Sequence, residues 1–245
     1  MRFKIELELK NGQLPLDYRP AIISLFKHSL TVYENGRHFD TYYEIGKDKN
    51  FGFAVNLPGS KFTKDMILVP NRKIHITFST GDVTTGIVFF NSLLMQKNKS
   101  YPLACENAMS IKNILIEKEI AITTETVDVM FISPLCVREH SKEGNKDIYY
   151  SYEKEGFHEA LSKVLEWQIA NSNTLPTSIL EGFSMTPIRC KKTVVRHHQQ
   201  FIEATLGVFR LTGNVALLNY FYTSGIGSRK SSGFGLVEII RKEII

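Results

Sequence analysis

The chain has 245 residues, 43% of them apolar and 22% charged, enough for a buried core in one large domain or two small ones. Its formal net charge of +5 and pI near 9.0 lean toward a polyanionic partner without requiring one. Three scattered cysteines, Cys105, Cys136 and Cys190, without a CxxC pair or Cys/His cluster, argue against a disulfide framework or structural zinc and fit a reducing cytoplasm; MRFKIELELK lacks the apolar core of a signal peptide, and no apolar run approaches the ~20 residues that span a bilayer.

The first predicted element is a strand in which Met1, Phe3, Ile5, Leu7 and Leu9 alternate with Arg2, Lys4, Glu6, Glu8 and Lys10. Ile22, Phe26, Leu30 and Tyr33 then recur at helical spacing from about Tyr18 to Glu34. Strands follow at Phe51 to Leu57 and at Ile74, Ile76 and Phe78, and the next helix carries Val83, Ile87, Phe90 and Leu94. Ile114, Ile116, Ile120 and Ile122 predict the strand that closes the set. The order is β-α-β-β-α-β, the ferredoxin-like arrangement.

After Thr123 the order begins again. VDVMFISPLCV is strand-like, and residues 157 to 170 predict a helix with Leu161, Val164, Leu165 and Ile169 inward. A hairpin-like region from Ile179 to Leu211 has Ile202, Ala204, Leu206 and Val208 alternating in its second arm. A short helix from Val215 to about Tyr222 leads through a glycine-rich loop to a strand at Leu236 to Ile240. The expectation is an α+β chain of two tandem ferredoxin-like domains with antiparallel sheets, residues 1–123 and 124–245, with a groove between them.

The loop SGIGSRKSSGFG places Gly225, Gly227, Gly233 and Gly235 around Arg229, Lys230 and Ser231. It fails the dinucleotide fingerprint, because Lys230 occupies the sixth position counted with Gly225 as the first, and it lacks the Gly-Lys-Ser/Thr that closes a P-loop. Glycines still permit a close approach of backbone N–H groups to phosphates, with Arg229 and Lys230 as cations at the tip. A second basic stretch, IRCKKTVVRHH, supplies Arg189, Lys191, Lys192 and Arg196, whose side chains of one parity would track an RNA backbone.

The Gly-Ile-Gly-x5-Gly-Phe-Gly loop before a terminal strand, the two ferredoxin-like halves and the Phe131-Ile132-Ser133-Pro134 strand resemble the RAMP superfamily. Within it the chain looks most like the CRISPR-associated endoribonuclease that processes repeat RNA. The resemblance implies metal-independent cleavage of precursor CRISPR RNA within each repeat. The 2′-hydroxyl attacks the adjacent phosphate and leaves a 2′,3′-cyclic phosphate and a 5′-hydroxyl. No cofactor and no metal are expected. The partners it implies are CRISPR repeat RNA, other subunits of an interference complex and a second copy of the chain, with no membrane. A non-catalytic RNA-binding subunit of such a complex is the alternative.

The resemblance also places a catalytic histidine after the first helix, where NGRHFDTYYEIGKDKNFGF has only His38. His38 is the expected general base or acid, with Lys47 or Lys49 as the cation, Tyr43 or Tyr42 as a hydroxyl partner, and Arg37 near the phosphorane. Aligning the strand at Phe51 to Val55 brings the family's histidine position closer to Tyr43, and His28 on the first helix is the reserve. His75, His140 and His158 are expected at the surface, and His197 and His198 fit RNA contact better than catalysis. Asp40, Glu44 and Asp48 have no ligand spacing on a known element.

Overall fold

The computed structural model describes residues 1–44, 49–104, 106–141, 146–172 and 174–240. In chain order the first half contains β1 (Arg2–Leu9), β2 (Gln13–Pro15), α1 (Arg19–Val32), α2 (Phe39–Tyr43), β3 (Phe51–Asn56), β4 (Lys61–Phe62), β5 (Met66–Leu68), β6 (Lys73–Thr80), α3 (Val83–Leu94), β7 (Ser100–Pro102) and β8 (Ala108–Ile116). The main sheet runs β3-β6-β1-β8-β7, and its paired neighbours are antiparallel. Alternation puts Phe3, Ile5, Leu7 and Leu9 of β1 into the core, where Phe3 stacks on Phe78 with centroids 4.8 Å apart.

The second half contains β9 (Thr126–Phe131), β10 (Val137–Ser141), β11 (Lys146–Tyr150), α4 (Phe157–Ala170), β12 (Ser184–His197), β13 (Gln200–Thr212), α5 (Val215–Ser224) and β14 (Val237–Ile239). Its sheet runs β12-β13-β9-β14, again antiparallel. Take the four main strands of each half in order of appearance: both sheets then read second, third, first, fourth. This is an α+β fold with the ferredoxin-like arrangement in tandem.

The strand Ala108–Ile116 begins earlier than the isoleucine pattern predicts and stops before Ile120. Ile122 instead belongs to the second core, and its N–H donates to Asn219 Oδ1 at 3.0 Å. On α3, Val83, Ile87 and Leu94 are exposed, while Val88, Phe89 and Leu93 face the core. Apolar residues on both sides of this helix allowed two stripes, and the sheet selected the one carrying Phe89. The β10–β11 hairpin is an insertion between β9 and α4 that the sequence reading did not include.

Two buried arginines join the halves. Arg2 on β1 donates to the Val237 carbonyl on β14 at 3.0 Å, with Glu117 at 3.4 Å and the Tyr222 ring at 5.1 Å. Arg19 donates from Nε to the Gly233 carbonyl at 3.3 Å, its guanidinium 4.9 Å from both the Tyr18 and Phe234 rings. Truncating either would leave desolvated acceptors across the junction.

Candidate nucleic-acid interface

All four glycines between α5 and β14 have positive φ: +78° at Gly225, +91° at Gly227, +84° at Gly233 and +72° at Gly235. A Cβ on Gly235 would lie 2.1 Å from the Ile226 carbonyl oxygen, and one on Gly227 would lie 2.7 Å from that of Cys136. Their N–H groups face inward: Gly227 donates to Gln168 Oε1 and Gly235 to the Pro134 carbonyl, both at 2.9 Å. The glycines therefore let the loop fold tightly onto its own protein. Their amides are committed there, contrary to the expected phosphate cradle.

The two loop cations differ from each other. Lys230 is only 5% exposed and sits inside the loop, its Nζ 6.0 Å from the Tyr220 ring, so it is not the tip cation expected from the sequence. Arg229, itself in left-handed backbone at φ +60°, donates to Asp147 Oδ2 at 3.1 Å and to Tyr149 Oη at 2.9 Å. Asp147 lies on β11 and also accepts from Arg138 at 3.1 Å and bonds His140 at 3.0 Å. Burial opposes ionisation of Asp147, but the hydrogen bonds from His140 and Arg138 and the charge of Arg138 outweigh it. They hold its carboxyl at about 2. His140 is exposed as expected, but it sits on a strand and in this ion network.

A cavity of about 500 Å³ opens beside this network, lined by Lys49, Arg138, His140, Lys163, Trp167 and Arg229, with Lys230 and Ser231 of the loop also at its wall. Lys49 precedes β3 in the first half, whereas the other residues come from β10, α4 and the loop. Residues from nearly opposite ends of the sequence thus meet around one opening.

The expected catalytic residues spread along α2. His38 sits at its N-terminus, with Nε2 3.0 Å from Glu34 Oε2 and 3.1 Å from Arg37 Nε. Its ring stacks on Tyr33 with centroids 5.8 Å apart. Glu34 and Asn35 reach the left-handed region at φ +48° and +56°, two consecutive non-glycine residues of the strained kind that clusters at functional sites. Hydrogen bonds from His38 and Tyr33 hold the Glu34 carboxyl below its ordinary range.

Tyr43 ends α2 with its hydroxyl buried and, among the described residues, without a hydrogen-bond partner, and that burial pushes the phenol well above its ordinary value. The Tyr43 ring has Lys27 Nζ 5.0 Å away and Lys49 Nζ 5.8 Å away. Tyr42 is buried in the core against Phe89. Lys47 lies outside the described residues. His28 is exposed beside Tyr101 on the far edge strand, 5.4 Å between centroids, while Lys27 faces Tyr43.

On the long β12–β13 hairpin, Arg189, Lys191, Lys192 and Arg196 are all exposed, but not on one face. Register pairs Arg189 with Val208 and Lys191 with Leu206; Lys192 pairs with Thr205 and Arg196 with Phe201, on the opposite side. Lys192 also bonds Glu203 at 2.8 Å, and Phe201 is 72% exposed. His197 is 1% exposed, packed against Phe234, and is therefore no RNA contact as it stands. Among the described residues, no group of three or more His, Cys, Asp or Glu side chains could hold a metal ion.

Residues 115–239, just over half of the chain, match the family model described as CRISPR associated protein Cas6, C-terminal. The chain belongs to this family. Its work is accordingly CRISPR-related RNA processing or binding. Several solved structures share the whole fold with this Cas6-family chain. A Cas6-related gene product from Pyrococcus furiosus is 19% identical with a TM-score of 0.82, covering 99% of each chain. A RAMP protein described as binding different RNA substrates is also 19% identical with a TM-score of 0.81, over 98% of this chain and 100% of its own. A CRISPR associated protein Cas6 is 17% identical with a TM-score of 0.79, over 98% of this chain and 99% of its own. At such identities the likeness establishes the shared fold. A search of curated proteins finds no match. Among the described residues, no helix is long and apolar enough to cross a membrane.

Sequence reading missed Arg138, His140, Asp147 and Trp167. The only signal available was the i, i+2 spacing of Arg138 with His140 and of Asp147 with Tyr149, which puts each pair on one strand face once the strands are known.

Proposed function

We propose that this chain is an endoribonuclease that cuts CRISPR repeat RNA without a metal ion. The observation that carries the reading is the position of Lys49. Its ammonium lies 5.8 Å from the Tyr43 ring and also lines the cavity beside Arg229 of the glycine-rich loop. Lys49 thus stands between the segment that would carry the chemistry and the loop that would hold the substrate.

In the proposed reaction the ribose 2′-oxygen attacks the neighbouring phosphorus, the new O2′–P bond forms and the P–O5′ bond breaks. His38 Nε2 takes the 2′-hydroxyl proton. To take it, that nitrogen must first be released by Arg37, which donates to it at 3.1 Å, and once protonated it donates to Glu34 at 3.0 Å. Lys49 offsets charge developing on the phosphoryl oxygens. Tyr43, which burial keeps protonated and so unsuited to act as the base, gives its proton to the leaving 5′-oxygen, a role that requires its buried hydroxyl to be uncovered when RNA binds. The products are a 2′,3′-cyclic phosphate and a 5′-hydroxyl.

Incubation with repeat RNA in excess EDTA, followed by end-group analysis, tests this. Cleavage to those two ends supports it, and cleavage that requires a divalent metal contradicts it. The second reading is a non-catalytic CRISPR RNA-binding subunit, favoured by the buried Tyr43 hydroxyl. Tight binding without any cleavage would select it.

A further inference from the structure

The β10–β11 hairpin does not belong to the β-α-β-β-α-β frame, yet it builds one wall of the cavity beside the glycine-rich loop. Two features of that cavity have no part in the reaction just described. The first is charge. Asp147 is a single carboxylate that meets two guanidiniums, Arg138 at 3.1 Å and Arg229 at 3.1 Å, as well as His140 at 3.0 Å. One positive charge therefore remains over even when His140 is neutral. Lys49 adds an ammonium to the same lining, whereas Lys163 adds no surplus, because Glu139 at 3.0 Å and Glu159 at 2.7 Å more than offset it. An anion of small radius is the natural complement to the two converging arginines.

The second feature is an aromatic plane. Trp167, the chain's one tryptophan, projects from α4 at the rim of this cavity and is 58% exposed. Its helix neighbours Val164, Leu165 and Ile169 are buried in the second core, so packing accounts for them and leaves the indole outside. An exposed indole next to cations is the arrangement on which an unpaired nucleobase stacks while its phosphate is neutralised.

We infer that this cavity is a subsite for one unstacked nucleotide of single-stranded RNA, with the base on Trp167 and its phosphate at Arg138 and Arg229. The inference rests on the RNA reading above and adds where a single-stranded segment is held. Stacking tolerates any base, so the subsite positions the strand and does not select a sequence. Lys49 both lines this cavity and lies 5.8 Å from the Tyr43 ring at the end of α2, so a strand held there can continue toward α2.

Because the chain has one tryptophan, its fluorescence reports on this cavity alone. The experiment titrates oligouridylate into the whole protein while following Trp167 emission, with anisotropy of the same labelled oligomer as an independent measure of binding. Saturable quenching with the same midpoint as the anisotropy change is expected. Trp167→Ala should weaken binding roughly 5- to 150-fold, and Trp167→Phe should recover much of that loss. Anisotropy that rises while Trp167 emission stays constant, or Trp167→Ala binding like the unaltered protein, overturns the subsite and leaves the RNA reading standing. If neither the oligomer nor repeat RNA binds at all, the proposed function falls and the subsite falls with it.

Discussion

His197 at the tip of the β12–β13 hairpin lies with Nδ1 3.8 Å from Oδ1 of Asp17, which precedes α1 in the other half of the molecule. Among the described residues neither of these atoms has a hydrogen-bond partner, and both are buried. The hairpin tip thus docks onto the first half through a buried contact in which the ionisation of His197 has consequences for stability.

Burial first, and then the charges of His198, Arg229 and Arg19, depress the His197 imidazole from 6.5 to about 4. The unfolded chain takes up a proton below about pH 6.5 that the folded chain refuses until about pH 4. Stability should therefore fall as pH drops through that window, by on the order of 3 kcal/mol in total. His197→Phe keeps the packing against Phe234 and removes the proton site. Urea unfolding at pH 7 and pH 5 should show a smaller difference for the variant, and an equal difference would contradict this role.

Gly182 and Gly235 share a φ of +72° but differ in surroundings. A Cβ on Gly182 meets nothing within 4 Å, whereas on Gly235 it would lie 2.1 Å from a backbone oxygen. Gly182→Ala should cost ~1–2 kcal/mol from backbone strain alone. Gly235→Ala should cost about 4 kcal/mol or more and displace the loop. Thermal unfolding of the pair measures the difference, and equal losses would mean that the close approach at Gly235 is unimportant.

The hairpin cations should differ in their effect on RNA binding. Arg189 and Lys191 share one face, and replacing both with Ala should reduce the slope of log K against log salt by about 1.4 for single-stranded RNA. Lys192→Ala should change it less, because Glu203 already neutralises that ammonium at 2.8 Å. A larger effect at Lys192 would place the RNA on the opposite face.

His38→Ala should slow cleavage by roughly 10²- to 10⁴-fold while leaving repeat-RNA affinity nearly unchanged. Single-turnover rates at saturating protein test this directly. Unchanged cleavage would move the base to His28 or another group, although His28 now stands beside Tyr101, away from the face that carries Lys27 toward Tyr43.

The sequence was most legible where one periodicity had one partner. The inward face of α4 carries the predicted Leu161, Val164, Leu165 and Ile169, and the β-α-β-β-α-β frame of both halves is as read. It was ambiguous where apolar residues cover both sides of an element: on α3, Val83 and Ile87 alternate with Val88 and Phe89, and only the packed sheet decides between them. The five-residue strands β10 and β11 were hidden because Arg138, His140, Lys146 and Asp147 leave too few apolar residues in either arm for an alternation to show. Charge alone gave no sign that Lys230 and His197 turn inward, since burial of a cationic or imidazole side chain is a tertiary outcome. The clustering of Arg229 with Asp147 likewise joins segments 82 positions apart.

The central claim is that this Cas6-family chain cuts repeat RNA through the substrate's own 2′-hydroxyl. The direct measurement compares repeat RNA with the same RNA lacking that hydroxyl at the one nucleotide 5′ to the cut, both in EDTA and both checked for equal binding. The account predicts cleavage of the first and none of the second. Cleavage of both at the same rate, or of neither while both bind tightly, would contradict it.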